Sequence, residues 1–357
     1  MTIGVGILGF AHGHVNAYCG EWLRQLPQHP EYGMVTVAGW DHDAARLETA
    51  RAAYGLQPCA SAEELLARKD VQAVVIAAET SLHAGLVELA AAAGKKIALQ
   101  KPITLTLPEA DRVVAAVQRA GVPFTMIWQM RVDPLNLKIK EVLKSGELGK
   151  IFMVRRRHGL STHLSPGFTD LFHVKPEYNR DIWADDASHA VDFIYWLLGA
   201  PETVTAEIAS LLDPRVPMDN GVALYRYADG SIAEVSCSFT CVAAENAVEI
   251  FGEKGSLIQN YGDVPSTNVP HLADAPALKW YLQKNKEWTY SDVPTPPNQW
   301  KRIIDLAAPL AEFFRGERPP LATAEEGRTV LRMTLATYVS NREGRRVGID
   351  EESVAQV

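Results

Sequence analysis

Three stretches of the sequence combine residue types and spacings that can do chemistry. "IALQKPIT", residues 97–104, places Lys101 directly after an apolar run and before Pro102. Proline donates no backbone hydrogen bond and holds the residue before it in extended geometry. Lys101 therefore stands at the stiff end of a buried strand, as a solvated charge, half of a structural ion pair, or a catalytic ammonium. "DDASHAVD", residues 185–192, puts Asp185 one helical turn before His189 on the same side, with Asp192 three residues after the histidine. An imidazole beside a carboxylate is a general base with tuned geometry and pKa. A histidine half buried at a domain boundary and satisfied by one hydrogen bond fits the same spacing. "GFAHGH", residues 9–14, follows an apolar strand and precedes a helix, the context of a dinucleotide-binding turn. Only Gly9 matches that fingerprint fully. Ala11 narrows the approach to a pyrophosphate, and His14 replaces the third glycine, with Gly13 beside it to relieve the crowding.

These residues need a scaffold, and the first third of the chain supplies one in alternation. "IGVGILGF", "MVTVAGWD", "VQAVVIAAE", "KKIALQKP" and "VPFTMIWQ" read as strands; the segments between them, from His14 to Leu26 onward, have helical spacing. Ser61 and Glu64 form a capping box. Pro108 opens the helix that Gly121 ends. Near-continuous apolar strands alternating with helices mean a doubly wound parallel sheet of Rossmann type. Asp41 ends the second strand, where a carboxylate accepts from both ribose hydroxyls and repels a 2′-phosphate, so NAD is expected over NADP. His42 is placed to meet the adenine edge. Capping of the following helix is the alternative role for Asp41.

After about residue 150 the grammar changes. "IFMVRRRHG", "VTAEIASLL", "NGVALYRYADGSIAEVSCSFTC" and "AVEIFGEKGSLIQNYG" read as strands at hairpin spacing, with an Asp-Gly turn in "YADGS". The expectation is a dinucleotide-binding domain over residues 1–124, then a substrate-binding and oligomerisation domain over 125–357 with a large, mostly antiparallel open sheet. Two domains suit 357 residues. A net charge of −8 gives no basic footprint for nucleic acid. No run of 18 apolar residues crosses a membrane. "MTIGVGILGF" lacks a signal peptide's basic start, and four cysteines without paired spacing read as reduced thiols, so a cytoplasmic location is expected.

The order and spacing of "GILGFAHGH", "AAETSLH", "LQKPITLTLPEA", "MRVDPLN", "DDASHAVD", "GEKGSL" and "NREGRRVGI" resemble the glucose–fructose oxidoreductase / inositol dehydrogenase / MocA family over nearly the whole chain. The resemblance implies an NAD-dependent dehydrogenase or reductase acting on a secondary hydroxyl of a sugar, inositol or sugar derivative. It implies that Lys101, Asp185 and His189 are catalytic, that His189 takes the hydroxyl proton while Lys101 holds its oxygen, and that Asp185 orients the substrate or the imidazole. Cofactor contacts are expected from Gly9, Phe10, Ala11, His12, Asp41, His42, Ala78, Glu79, His83, Gln100 and Lys101. Substrate contacts are expected from Trp128, Arg131 and His158 beside the catalytic set. The sequence departs from the pattern at Gln100 (usually glutamate), at Ala78, Glu79 and Thr80 (usually threonine, proline, asparagine near the nicotinamide), and at Ala187 (usually glycine). Second domains pairing sheet to sheet would give a homodimer or homotetramer.

Residues 158–173 hold His158, His163, His173 and Asp170 without the fixed spacing of a zinc site, so no metal is expected there. Arg155, Arg156 and Arg157 alternate faces along one strand. Two other activities share the resemblance: a glycosidase that recycles its NAD, and a non-catalytic NAD-binding regulator, the latter opposed by the intact Lys101, Asp185 and His189.

Overall fold

A computed structural model describes residues 2–22, 30–243, 246–259, 276–294 and 297–357. The end of the expected helix from His14 to Leu26 lies outside the described residues. The chain forms two compact units, Met1–Gln129 with Arg302–Arg328, and Met130–Lys301 with Thr329–Val357.

The first unit is built on six parallel strands, β1 (Ile3–Leu8), β2 (Met34–Trp40), β3 (Gln57–Pro58), β4 (Ala73–Ile76), β5 (Lys96–Gln100) and β6 (Phe124–Ile127), in the order β3-β2-β1-β4-β5-β6. This is the doubly wound arrangement. Val74, Val75, Ile76, Ala98 and Leu99 are all buried, as strands covered on both faces require. Local signals start and stop the helices between them. Ser61 Oγ accepts from Glu64 N, and Gly121, at φ +63°, caps helix Leu107–Ala120. That helix also starts with a full capping box, Thr106 with Glu109.

Residues 302–328 were expected in the second domain but pack with the first. The reason is the edge strand β6, whose backbone needs partners on its open side. Met126 N donates to Ala322 O at 2.9 Å and Leu321 N donates to Thr125 Oγ1 at 2.9 Å. Helix Ala307–Arg315 buries Leu310, Ala311 and Phe314, and Lys96 Nζ bonds the Phe314 carbonyl.

The second unit holds a nine-stranded sheet of β7 (Ile151–Gly159), β8 (Thr203–Ala209), β9 (Asn220–Arg226), β10 (Ile232–Ser238), β11 (Asn246–Gly252), β12 (Gly255–Gln259), β13 (Leu278–Leu282), β14 (Glu287–Tyr290) and β15 (Val347–Gly348). Its order is β14-β13-β12-β11-β7-β10-β9-β8-β15. Every pair is antiparallel except the central β7 and β10. The Asp-Gly turn at 229–230 joins β9 to β10; the hairpin β13–β14 was not anticipated. One face carries the buried row Val154, Ala233, Tyr225 and Val204 beneath helices Ser188–Leu198 and Ala324–Glu343; Arg156 lies 5.0 Å from the Phe193 ring, and Ala206 N donates to Ser340 Oγ. The opposite face carries exposed Arg155, paired with Glu234 and Glu249 on the two flanking strands, together with exposed Val222, Leu224 and Tyr290.

Candidate active site

In the first unit, β1 runs into Gly9 at φ +87°, where an added Cβ would collide with the backbone of Ala78. Only glycine fits so close a backbone approach. His12 N donates to Ala77 O at 2.9 Å, so the turn is pinned to the end of β4. Gly13 does not relieve crowding at His14 as expected, since a Cβ added there meets nothing within 4 Å. His14 is in αR geometry and leads into helix Val15–Gly20.

Asp41 lies just past β2, fully buried, with both carboxylate oxygens occupied. Oδ2 accepts from Phe10 N at 2.7 Å and Arg46 Nε at 3.2 Å; Oδ1 accepts from Asp43 N at 2.8 Å and Arg46 Nη2 at 2.9 Å. A carboxylate offers about four lone-pair sites, so Asp41 is saturated. Capping of helix Ala44–Tyr54 falls to Asp43, which accepts from Ala45 N and Arg46 N. Glu79, expected near a nicotinamide, instead reaches the end of β2. It accepts from Arg46 Nη2 at 2.6 Å, and its Oε2 lies 3.0 Å from His42 Nε2. Burial works against the Glu79 charge, but hydrogen bonds from its own backbone, Arg46 and His42 hold its pKa below the usual range. Arg46 was missed in the sequence. Its signal was a cation in the first turn of a helix, where the dipole disfavours it.

His83 is buried with Nδ1 2.9 Å from Pro102 O and Nε2 3.2 Å from Ala78 O. It braces the ends of β4 and β5, a structural post where a cofactor contact was expected. Burial lowers its pKa against the pull of these carbonyls, so the neutral ring donates to one of them at a time. Gln100 Nε2 donates to Tyr18 Oη at 2.9 Å; among the described residues no donor reaches its buried Oε1. Lys101 follows at the end of β5, 3% exposed, joined to Pro102 by a cis peptide. Phe10 and Trp128 are buried, and Ala11 is half-buried.

In the second unit, residues Trp183–Ala187 form a π-turn leading directly into helix Ser188–Leu198. The α-helical spacing that paired Asp185 with His189 does not apply through a π-turn, which carries an extra residue per turn. Asp185 Oδ2 is instead taken by His173 Nδ1 at 2.7 Å. Asp186 Oδ1 lies 3.8 Å from His189 Nε2 and 3.6 Å from His158 Nε2. His158 and His189 are both buried, with ring centroids 5.8 Å apart. Asp186 is a second residue that the sequence reading missed. Arg131, expected to meet substrate, spends two donors on Asp192, Nη2–Oδ1 at 2.7 Å and Nε–Oδ2 at 3.0 Å. The three histidines of residues 158–173 turn to three different carboxylates, with His163 on Asp219 at 2.9 Å. Among the described residues no cluster of three or more His, Cys, Asp or Glu has metal-holding geometry.

Two family models span most of the chain. One, described as an oxidoreductase family with an NAD-binding Rossmann fold, matches residues 3–127. The other, the GFO/IDH/MocA C-terminal domain, matches residues 136–258. The chain belongs to the GFO/IDH/MocA oxidoreductase family. Several of its relatives are named as dehydrogenases or reductases of sugars or inositol. A D-apiose dehydrogenase from Paraburkholderia graminis is 28% identical over 329 residues, 88% of this chain and 83% of its own. A myo-inositol 2-dehydrogenase from Thermotoga maritima is 25% identical over 81% of this chain and 83% of its own. A 1,5-anhydro-D-fructose reductase from Ensifer adhaerens is 27% identical over the same shares, 81% and 83%. In fold, the chain matches the crystal structure of the WlbA dehydrogenase from Bordetella pertussis in complex with NADH and UDP-GlcNAcA, at a TM-score of 0.78 and 24% identity, across 99% of this chain and 100% of that one. The dinucleotide of the GFO/IDH/MocA fold suits the residues present. Gly9 leaves backbone room that a side chain would fill, and Gln100 Oε1 is a buried acceptor in need of a donor.

Proposed function

We propose that this protein oxidises a secondary hydroxyl of a sugar, inositol or sugar derivative with NAD, or reduces the corresponding ketone. The observation that carries the reading is Lys101, an ammonium buried at the carboxyl end of β5 in a dinucleotide-type sheet. Ligands of open α/β sheets bind beyond the carboxyl strand ends.

When bound, the nicotinamide supplies the hydride acceptor. Lys101 Nζ hydrogen-bonds the reacting oxygen and stabilises negative charge there as the hydroxyl proton leaves. His189 takes that proton. The imidazolium so formed has the Asp186 carboxylate 3.8 Å from Nε2, which favours the charged ring. Asp185, held by His173, orients the substrate with His158, while Arg131 and Asp192 fix the helix that carries His189. The turn at Gly9–His12, with Asp41, Ala78 and Gln100, holds the cofactor. NAD is preferred because the Asp41 carboxylate opposes a 2′-phosphate.

The test is a screen of purified protein with NAD over free sugars, inositols, sugar acids and glycosides, reading NADH absorbance and released aglycone together. Absorbance growing with a free sugar or polyol is the expected result. Aglycone release without net NADH would replace this reading with a cofactor-recycling glycosidase. NAD binding with neither signal would leave a regulator.

The open face of the nine-stranded sheet supports pairing with a second copy, through alternating Arg155, Glu234 and Glu249 charges around exposed Val222 and Leu224. Light scattering at micromolar concentration should report a dimer or tetramer, and a monomer would remove this part of the proposal. Among the described residues no helix is long and apolar enough to cross a membrane.

A further inference from the structure

The saturation of Asp41 has a chemical consequence. A ribose diol can donate to this carboxylate only if a donor already there gives way. Two of the four donors, Phe10 N and Asp43 N, are backbone groups fixed by the turn and by the helix start. The other two belong to one side chain, Arg46, which is 28% exposed and can swing.

Arg46 has a second anchor. Nη2 spans Asp41 Oδ1 at 2.9 Å and Glu79 Oε1 at 2.6 Å, so the guanidinium ties the end of β2 to the residues after β4. The Glu79 bond is the shorter, and Glu79 is 3% exposed. Its other oxygen lies 3.0 Å from His42 Nε2, which also stands 3.1 Å from Arg46 Nη2, so the imidazole braces the Glu79–Arg46 pair. Two carboxylates against one guanidinium leave the cluster with a net negative charge.

Resting on the reading of this turn as the dinucleotide site, we propose that Glu79 is a specificity-determining positioning residue that acts through Arg46. When a ribose diol takes the Asp41 oxygens, Glu79 keeps the guanidinium, so NAD binds without stranding a cation. A 2′-phosphate needs that same guanidinium as its counter-charge, and Glu79 withholds it. Cofactor choice in this chain is thus set by competition for one arginine between a fixed carboxylate and the phosphate. An arginine near the ribose is how nucleotide sites of this fold accommodate a 2′-phosphate; here the arginine is present and restrained.

The test is calorimetric titration of NAD and NADP into wild type, Glu79→Gln, Arg46→Met and the double variant, with melting curves to confirm folding. The quantity read is the ratio of the NADP and NAD dissociation constants. Glu79→Gln should lower that ratio about tenfold, the weight of one charge-assisted hydrogen bond. In the Arg46→Met background the same change should move it less than about twofold, because additivity fails for residues that act together. An unchanged ratio in Glu79→Gln overturns the proposal. So does a tenfold gain that persists without Arg46, which would assign the effect to the negative field of Glu79 alone. A purely structural role would shift both constants together and leave the ratio fixed. Glu79→Ser is the substitute should the glutamine variant melt early. The NAD reading fails separately, on wild-type protein that binds NADP as tightly as NAD, and the change of the ratio on substitution still decides the role of Glu79.

Discussion

Replacing Asp192 by alanine should be among the most damaging single changes in the second unit, and the structure says why. Arg131 and Asp192 are both buried and share two parallel hydrogen bonds of 2.7 and 3.0 Å, with side chains only 4% and 0% exposed. Removing the carboxylate leaves a guanidinium with two broken charge-assisted bonds in a region that water does not reach. Breaking one partner of such a pair costs about 3–5 kcal/mol. Arg131 cannot escape by deprotonating. Replacing both partners by apolar residues of similar size, Arg131→Met with Asp192→Leu, removes both charges of this pair and should cost less than Asp192→Ala alone. The assay is urea unfolding followed by tryptophan fluorescence on Asp192→Ala, on Arg131→Met and Asp192→Leu singly, and on the double variant. A strongly negative coupling, with the double variant more stable than Asp192→Ala, is the expected result. A loss below about 1 kcal/mol for Asp192→Ala would place the pair among solvent-screened ion pairs and refute the reasoning, as would single losses that simply add. Because the pair steadies the helix that bears His189, Asp192→Ala protein that still folds should lose kcat while keeping its affinity for NAD.

Lys101→Met and His189→Ala should each lower kcat/KM by about 10²–10⁴-fold with NAD binding retained, and the double variant should fall far short of the product; wild-type turnover by folded Lys101→Met would remove the lysine from the mechanism. Asp41→Ala should narrow the gap between NAD and NADP in calorimetric titration, since it deletes a carboxylate that opposes the 2′-phosphate. Asp181 is raised from 3.8 to about 6, chiefly by burial, against hydrogen bonds from Ala184 N and Tyr338 Oη. The unfolded chain therefore gives up this proton first, and stability falls as pH rises from about 4 to about 6. Asp181→Asn keeps both bonds to Oδ1 and removes the charge, so its melting temperature should gain on wild type across that window; parallel curves would contradict the assignment.

Short-range patterns were legible in the sequence. The alternating strands of the parallel sheet, the cap at Ser61, the stop at Gly121, the Asp-Gly hairpin and the strand at residues 151–159 each depend on neighbours a few positions apart, so local sterics and hydrogen bonding decide them. Lys101 at a strand end and His189 on a buried helix followed from the same patterns. Their order along the chain also carried the family.

What the tertiary structure alone decided was which charge meets which. A π-turn at 183–187 rotates the carboxylates by part of a turn, so Asp185 goes to His173 and Asp186 stands beside His189. Arg46 reaches Glu79 across 33 residues of chain, and residues 302–328 return to cover the open edge of β6. Backbone spacing places a side chain on a face. The partner it finds there depends on desolvation, since a buried charge takes whichever opposite group the packed fold brings within reach, and no local pattern encodes that meeting.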